Sequence, residues 1–128
     1  MAAASTIRLA DYSPWPFALP RVELNVVVHD DHVIVFSRLS LEPQNGGEAL
    51  ELKAVDLVIE HLAIDGESLS PNAYRFEDGQ LTLVDAPAHA FVLETRCRVD
   101  PYSNSSLEGL YASGGLLSTQ CEAEGFRR

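Results

Sequence analysis

Two cysteines in 128 residues are too few for a disulfide framework, and Cys97 and Cys121 lack the Cys-x-x-Cys spacing of a zinc or redox site. Both read as free thiols, Cys97 on the apolar side of an expected strand. No run of apolar residues is long enough to span a bilayer. Met1 to Ser5 carries no positive charge ahead of an apolar core, so the chain reads as cytoplasmic. Basic residues are also scarce: 9 Lys and Arg against 19 Asp and Glu leave a net charge of −10. Such a surface repels phosphate backbones and anionic lipid, which argues against nucleic-acid and membrane partners and favours a cationic one. Solubility alone also accounts for an acidic balance.

The chemistry-bearing motifs are equally thin. There is no Gly-x-Ser-x-Gly elbow, no His-Glu-x-x-His pair and no glycine loop leading into a helix that would cradle phosphate. His29-Asp30-Asp31-His32 is metal-like in residue type, but it falls in a turn and offers too few converging ligands for a zinc centre. His61 stands on an otherwise apolar strand face and reads as a core or edge histidine. No metal ligand, base or nucleophile is assigned.

What is present is β structure. Residues 1–20 hold Pro14, Pro16 and Pro20 around Trp15 and Phe17, and read as an extended arm anchored on the domain by its aromatics. From Arg21 the period is two. Val22, Leu24, Val26 and Val28 precede an Asp30-Asp31 turn and then Val33, Val35, Ser37, Leu39 and Leu41, a long hairpin whose second strand also carries Ile34 and Phe36 and so reads as buried on both sides over its first half. Leu50 and Leu52 mark a short strand after the turn at Pro43 to Gly47. Leu57 to Ile64 mark another, with Leu57, Ile59, His61 and Ala63 on one face. Asp65-Gly66 and Asp78-Gly79 are tight-turn pairs, and Phe91 to Val99 is a long half-exposed strand. A polar loop follows at Asp100 to Ser106, where Ser106 could cap a helical turn over Leu107-Glu108. Gly114-Gly115 then divides two short strands. Short strands at frequent turn signals imply an all-β domain of antiparallel packed sheets, one domain over residues 21–128.

The end of the sequence is the most suggestive part. Gln120 and Glu122 lie two apart on an extended segment, so their side chains point the same way and can hold one cation together. An α-amino group has a reference pKa of roughly 8 and offers three donors. One amide oxygen and one carboxylate can accept two of them in charge-assisted bonds. The alternative is a solvated strand end with Glu122 and Glu124 in water.

Gly109-Leu110-Tyr111-Ala112-Ser113-Gly114, the run Thr119-Gln120-Cys121-Glu122-Ala123-Glu124-Gly125-Phe126-Arg127, and Ser105-Ser106-Leu107-Glu108 upstream resemble the N-terminal domain of the bacterial aminopeptidase N family of gluzincin metallopeptidases. The likeness begins near Ile7 to Tyr12, and the middle matches in strand order more than in identity. Arg128 departs from the histidine common in the family at that place. The resemblance implies a saddle-like β-domain ahead of a zinc-bearing catalytic domain. It also implies that Gln120 and Glu122 bind the substrate's free α-amine, with the peptide N-terminus and the catalytic domain of the same polypeptide as partners. Zinc would belong to that other domain, and this chain would be a fragment inactive alone. The competing expectation is a stand-alone β-sandwich binding module.

Overall fold

The computed structural model describes residues 6, 8–12, 14–44, 49–105 and 109–120, and the expectations for Ser106 to Glu108, for the turn beyond Gln44 and for Glu122 lie outside them. Among the described residues ten strands run in order: β1 (Phe17–Val28), β2 (Val33–Pro43), β3 (Leu50–Lys53), β4 (Leu57–Ile64), β5 (Glu67–Ser68), β6 (Tyr74–Glu77), β7 (Gln80–Leu83), β8 (Phe91–Val99), β9 (Gly109–Ser113) and β10 (Leu116–Gln120). They form a five-stranded sheet in the order β1-β2-β8-β4-β5, a three-stranded sheet β3-β7-β6, and the β9-β10 hairpin, every pair antiparallel. The all-β reading therefore holds, with single 3-10 turns at Leu9–Asp11 and Pro71–Ala73.

The turns follow from residue chemistry. Asp65-Gly66, Asp78-Gly79 and Gly114-Gly115 all place two successive residues at positive φ, the pattern a two-residue hairpin needs to match strand twist. Gly79 has a second constraint, since a Cβ there would come within 3.0 Å of the Val55 side chain. Elsewhere the chain departs from simple alternation. β1 starts at Phe17 rather than Arg21, because the strand absorbs Pro20 at an irregularity between Ala18 and Arg21, where a missing N–H costs no ladder bond. On β4 a bulge falls between Ile59 and His61: Ile59 pairs with Cys97 and His61 with Arg96, so Glu60 has no opposite number. That single extra residue reverses the phase of the strand. Leu57 and Ile59 face the core before it, and Leu62 and Ile64 after it. His61 is thereby moved off the apolar face and exposed, bonded through Nε2 to Ser68 Oγ at 2.8 Å.

The core lies where the small sheet crosses one end of the large one. Phe17, Leu41, Phe91 and Leu93 from the five-stranded sheet meet Leu50 and Leu83 from the three-stranded sheet, and Leu62 meets Leu81 and Ala54 beside them. Phe17 and Phe91 pack edge to face at 6.4 Å between centroids. Each such side chain contributes about 1.5–3 kcal/mol on burial. The small sheet does not reach the far end. Val22, Leu24, Val26 and Val28 share their face of β1 with the core side of β2, yet all four are exposed, Leu24 by 62%.

Leu50, fully buried between the two sheets, tests this arrangement. Leu50→Ala is expected to lower the unfolding free energy by about 2–5 kcal/mol in urea, and Glu51→Ala on the exposed side of the same strand by less than about 0.5 kcal/mol. Equal effects would place the contact between sheets elsewhere.

Candidate functional site

Gln120 closes the β9-β10 hairpin. Ser113 pairs with Leu116 around the Gly114-Gly115 turn, and the register runs through Ala112 with Leu117 and Leu110 with Thr119 to Gly109 with Gln120. The turn residues have φ of 58° and 81° with open space where a Cβ would stand, so backbone conformation, not crowding, selects glycine there. Gln120 is exposed at the open end of this ribbon, and Glu122 lies beyond the described residues.

The hairpin belongs to neither large sheet, and the loop after β8 connects it to them. Ala112 N donates to Pro101 O at 3.0 Å, and Asn104 Nδ2 donates to Leu110 O at 2.8 Å. The loop is itself ordered by Asp100. Its carboxylate accepts from Tyr102 N (3.1 Å), Ser103 N (3.3 Å) and Ser103 Oγ (2.7 Å), and the Ser103 hydroxyl foremost holds its pKa below the usual value. Tyr102 reaches back to the β1-β2 turn, its Oη donating to His29 O at 2.8 Å. Val28, Tyr102 and the hairpin from Ala112 to Leu117 line a shallow groove there. Sequence reading registered only a polar loop, since a bond from a tyrosine hydroxyl to a distant carbonyl leaves no pattern along the chain.

The other candidates separate. His29 and His32 stack face to face at 4.5 Å, and His32 Nδ1 engages the Asp31 carboxylate. Among the described residues no three His, Cys, Asp or Glu side chains converge as a metal set. Cys97 is half-buried beside Thr95, and burial pushes its thiol pKa up, which suits packing rather than nucleophilic chemistry.

A charged lattice covers the outward face of the large sheet. Arg38 bridges Glu23 and Glu94 at 3.4 and 3.5 Å, while Arg96 meets Glu60 at 3.0 Å and lies over the Phe36 ring. No helix among the described residues is long and apolar enough to cross a membrane.

Comparison with known proteins fits this geometry into a context. No protein-family model matches the chain. Aminopeptidase N of Caulobacter vibrioides is 43% identical over 122 residues, covering 94% of this chain and 14% of that protein. Aminopeptidase N of Escherichia coli is 41% identical over 78 residues, 61% of this chain and 9% of that protein, and the Haemophilus influenzae protein is 32% identical over 123 residues, 92% and 14%. The chain thus spans no more than 14% of the length of these relatives. Among solved structures, Legionella pneumophila aminopeptidase A in complex with aspartic acid shares the fold at a TM-score of 0.82 and 23% identity, over 95% of this chain and 15% of that one. An M1 zinc metallopeptidase of Deinococcus radiodurans, a mutant bound to a Tyr-Ser-Ala substrate, does so at 0.68 and 14% identity, over 88% and 28%. The shared architecture is an all-β fold that both of these peptidase structures contain. With the sequence identity added, the chain belongs to the aminopeptidase N family, as an N-terminal domain.

The Asp31–His32 contact gives a pH signature. The His32 hydrogen bond holds the Asp31 carboxyl below its ordinary 3.8, against a smaller opposing effect of desolvation. A depressed folded pKa means that the stability this contact adds is complete above the ordinary 3.8 of the unfolded chain and disappears as pH falls through the lower folded one. The Asp31 carboxyl carbon shift is expected to titrate with a midpoint below 3.8 and to return toward 3.8 in His32→Ala. A midpoint unmoved by that substitution contradicts the assignment.

Proposed function

We propose that this domain anchors the substrate's α-amine in a zinc aminopeptidase that removes N-terminal residues from peptides, with Gln120 and Glu122 as the anchoring pair. The observation that carries the reading is the exposed place of Gln120 at the open end of the β9-β10 ribbon, two residues before Glu122 in a sequence 43% identical to an aminopeptidase N. An amide oxygen and a carboxylate accept two of the three ammonium hydrogens, and the net charge of −10 favours a cationic end over an anionic one. An acetylated or internal peptide nitrogen carries no charge and keeps a single N–H, so it forfeits the charge assistance and at least one of the two bonds.

Fixing the amine determines which carbonyl reaches the reacting centre, and that register is what distinguishes an exopeptidase from an endopeptidase. Zinc, held by a catalytic domain of the longer polypeptide, supplies the Lewis-acid chemistry of peptide hydrolysis. This chain's share is binding and orientation. Cys97 as a free thiol suits the reducing cytoplasm, which is the location proposed with this role.

The reading also gives the exposed β1 stripe an occupant. Val22, Leu24, Val26 and Val28 continue the core face beyond the cover of the three-stranded sheet, and the Caulobacter relative is about seven times the length of this chain. We assign the stripe to contact with the catalytic part of that longer polypeptide.

Titration with alanine amide, followed by the side-chain amide resonance of Gln120, tests the anchor. The free amine is expected to shift that resonance, N-acetylalanine amide to leave it in place, and Glu122→Gln to weaken the response about tenfold through loss of a charge-assisted bond. Equal shifts from the free and the acetylated probe would refute it. The isolated chain is also expected to release no product from aminoacyl anilides with zinc added.

The stripe has its own measurement. Sedimentation of the chain at rising concentration should show self-association that Leu24→Lys abolishes, with urea stability changed by less than about 0.5 kcal/mol because the residue is exposed. A Leu24→Lys chain that associates as before, or unfolds easily, assigns the stripe another role.

A further inference from the structure

A two-stranded ribbon standing outside both large sheets has no ladder to fix its direction, and an isolated hairpin is marginal on its own. Here β9 is held at two points by one loop. Pro101, fully buried, offers its carbonyl to Ala112 N at 3.0 Å, and Asn104 donates to Leu110 O at 2.8 Å. Ala112 and Leu110 are two residues apart, about 6.6 Å along a strand. A single attachment would leave the ribbon free to swing; two fix its axis.

The second of these points matters most for the site. Leu110 pairs with Thr119, next to the Gly109–Gln120 pair at which the ribbon opens. Asn104 therefore holds β9 one register position from Gln120. The loop is in turn tied to the far end of the large sheet, because Tyr102 Oη donates to His29 O in the β1-β2 turn, 73 residues away in sequence. Tyr102 is 44% exposed, so its hydroxyl could have been left to water. Asp100 sets the loop's shape through three hydrogen bonds to Tyr102 and Ser103.

We infer that Asn104 and Tyr102 are positioning residues for amine capture: the loop from Asp100 to Asn104 is a bracket that fixes the Gln120-bearing hairpin to the β1-β2 turn. This rests on the amine-anchoring reading of Gln120 and extends it to residues that do not touch the substrate. The bracket matters because positioning tolerances are tight, a shift of about 1 Å being able to cost on the order of a hundredfold in a reacting geometry. Neither residue need contact the peptide for its loss to weaken capture.

Asn104→Ala and Tyr102→Phe, made separately in the full chain, test this by amide hydrogen exchange and by alanine-amide titration read at Gln120. In Asn104→Ala, exchange at Ala112 is expected to quicken about fivefold, the loss of one hydrogen bond of ordinary net strength, and alanine-amide affinity to fall by a similar factor. Exchange at Leu93, at the centre of the large sheet, should not change. Tyr102→Phe should act in the same direction. Unchanged Ala112 exchange and unchanged affinity in both variants overturn the bracket. Equal acceleration at Leu93 and Ala112 overturns it as well, because the substitutions would then act on the whole domain. If alanine amide fails to move Gln120 in the unaltered chain while Ala112 still quickens in the variants, the amine reading falls and the bracket stands as the hairpin's attachment alone.

Discussion

Strand β8 is hydrogen-bonded along both sides, to β2 from Val33 to Leu41 and to β4 from Leu57 to Ile64. In a chain whose described residues contain no regular α-helix, these non-local ladders do the work that local turns do elsewhere. Ser37 and Thr95, 58 residues apart, join their hydroxyls at the middle of the β2–β8 pair, and Leu93, fully buried, sits one pair further along the same face. Closing loops of that length costs conformational entropy before any contact returns it, so the pairing stands or falls as a unit. The core at one end of β8 and the Asp100 loop at the other both hang from it. The position of Gln120 thus depends on a strand that ends twenty-one residues before it.

The two faces of the large sheet divide the electrostatics. Outward, Glu23, Arg38 and Glu94 alternate in sign, as do Glu60 and Arg96, so most charges of the face are near an opposite one. Exposed pairs of this kind contribute about 0–1 kcal/mol each. Their effect is better described as keeping that face in water. Inward, β1 presents Val22, Leu24, Val26 and Val28, which water covers poorly. A long edge strand with an apolar flank is a template for association, which β1 opposes with Pro20, Arg21 and Glu23 near its start but not along Leu24 to Val28. The polarity of the sheet therefore specifies which side a further layer of protein can occupy.

How much of this could be read from residues alone depended on whether the signal was local. Asp65-Gly66, Asp78-Gly79 and Gly114-Gly115 announced their turns because positive φ is a property of the residues at the turn. The double burial that Ile34 and Phe36 implied for the first half of β2 holds at Val33 and Ile34 but not at Phe36, which is 38% exposed beneath Arg96. The bulge at Glu60 was not legible, because a register slip is set by the partner strand, and it carried His61 to the opposite face from the one its alternation implied. Pro20 inside β1 misled for a similar reason: proline argues against a central strand, but β1 is an edge. For the candidate site, the Gln120 position on a ribbon end followed from spacing and turn chemistry. The roles of Asn104 and Tyr102 did not, since both bond to main-chain carbonyls, which every residue possesses.

This last point bears on how an amine anchor can be built on a β-ribbon at all. The ribbon's own pairing fixes Gln120 relative to Gly109 but says nothing about where the pair sits on the domain. Apolar packing alone would fix it loosely, because dispersion contacts are non-directional and a ribbon held by them alone would lose little by sliding. Hydrogen bonds to main-chain carbonyls are directional, short and independent of side-chain rotamers on the accepting side. Two of them on β9 and one on the β1-β2 turn convert a loosely packed flap into a part with a defined axis. The amine anchor proposed at Gln120 would need that directionality more than further buried area.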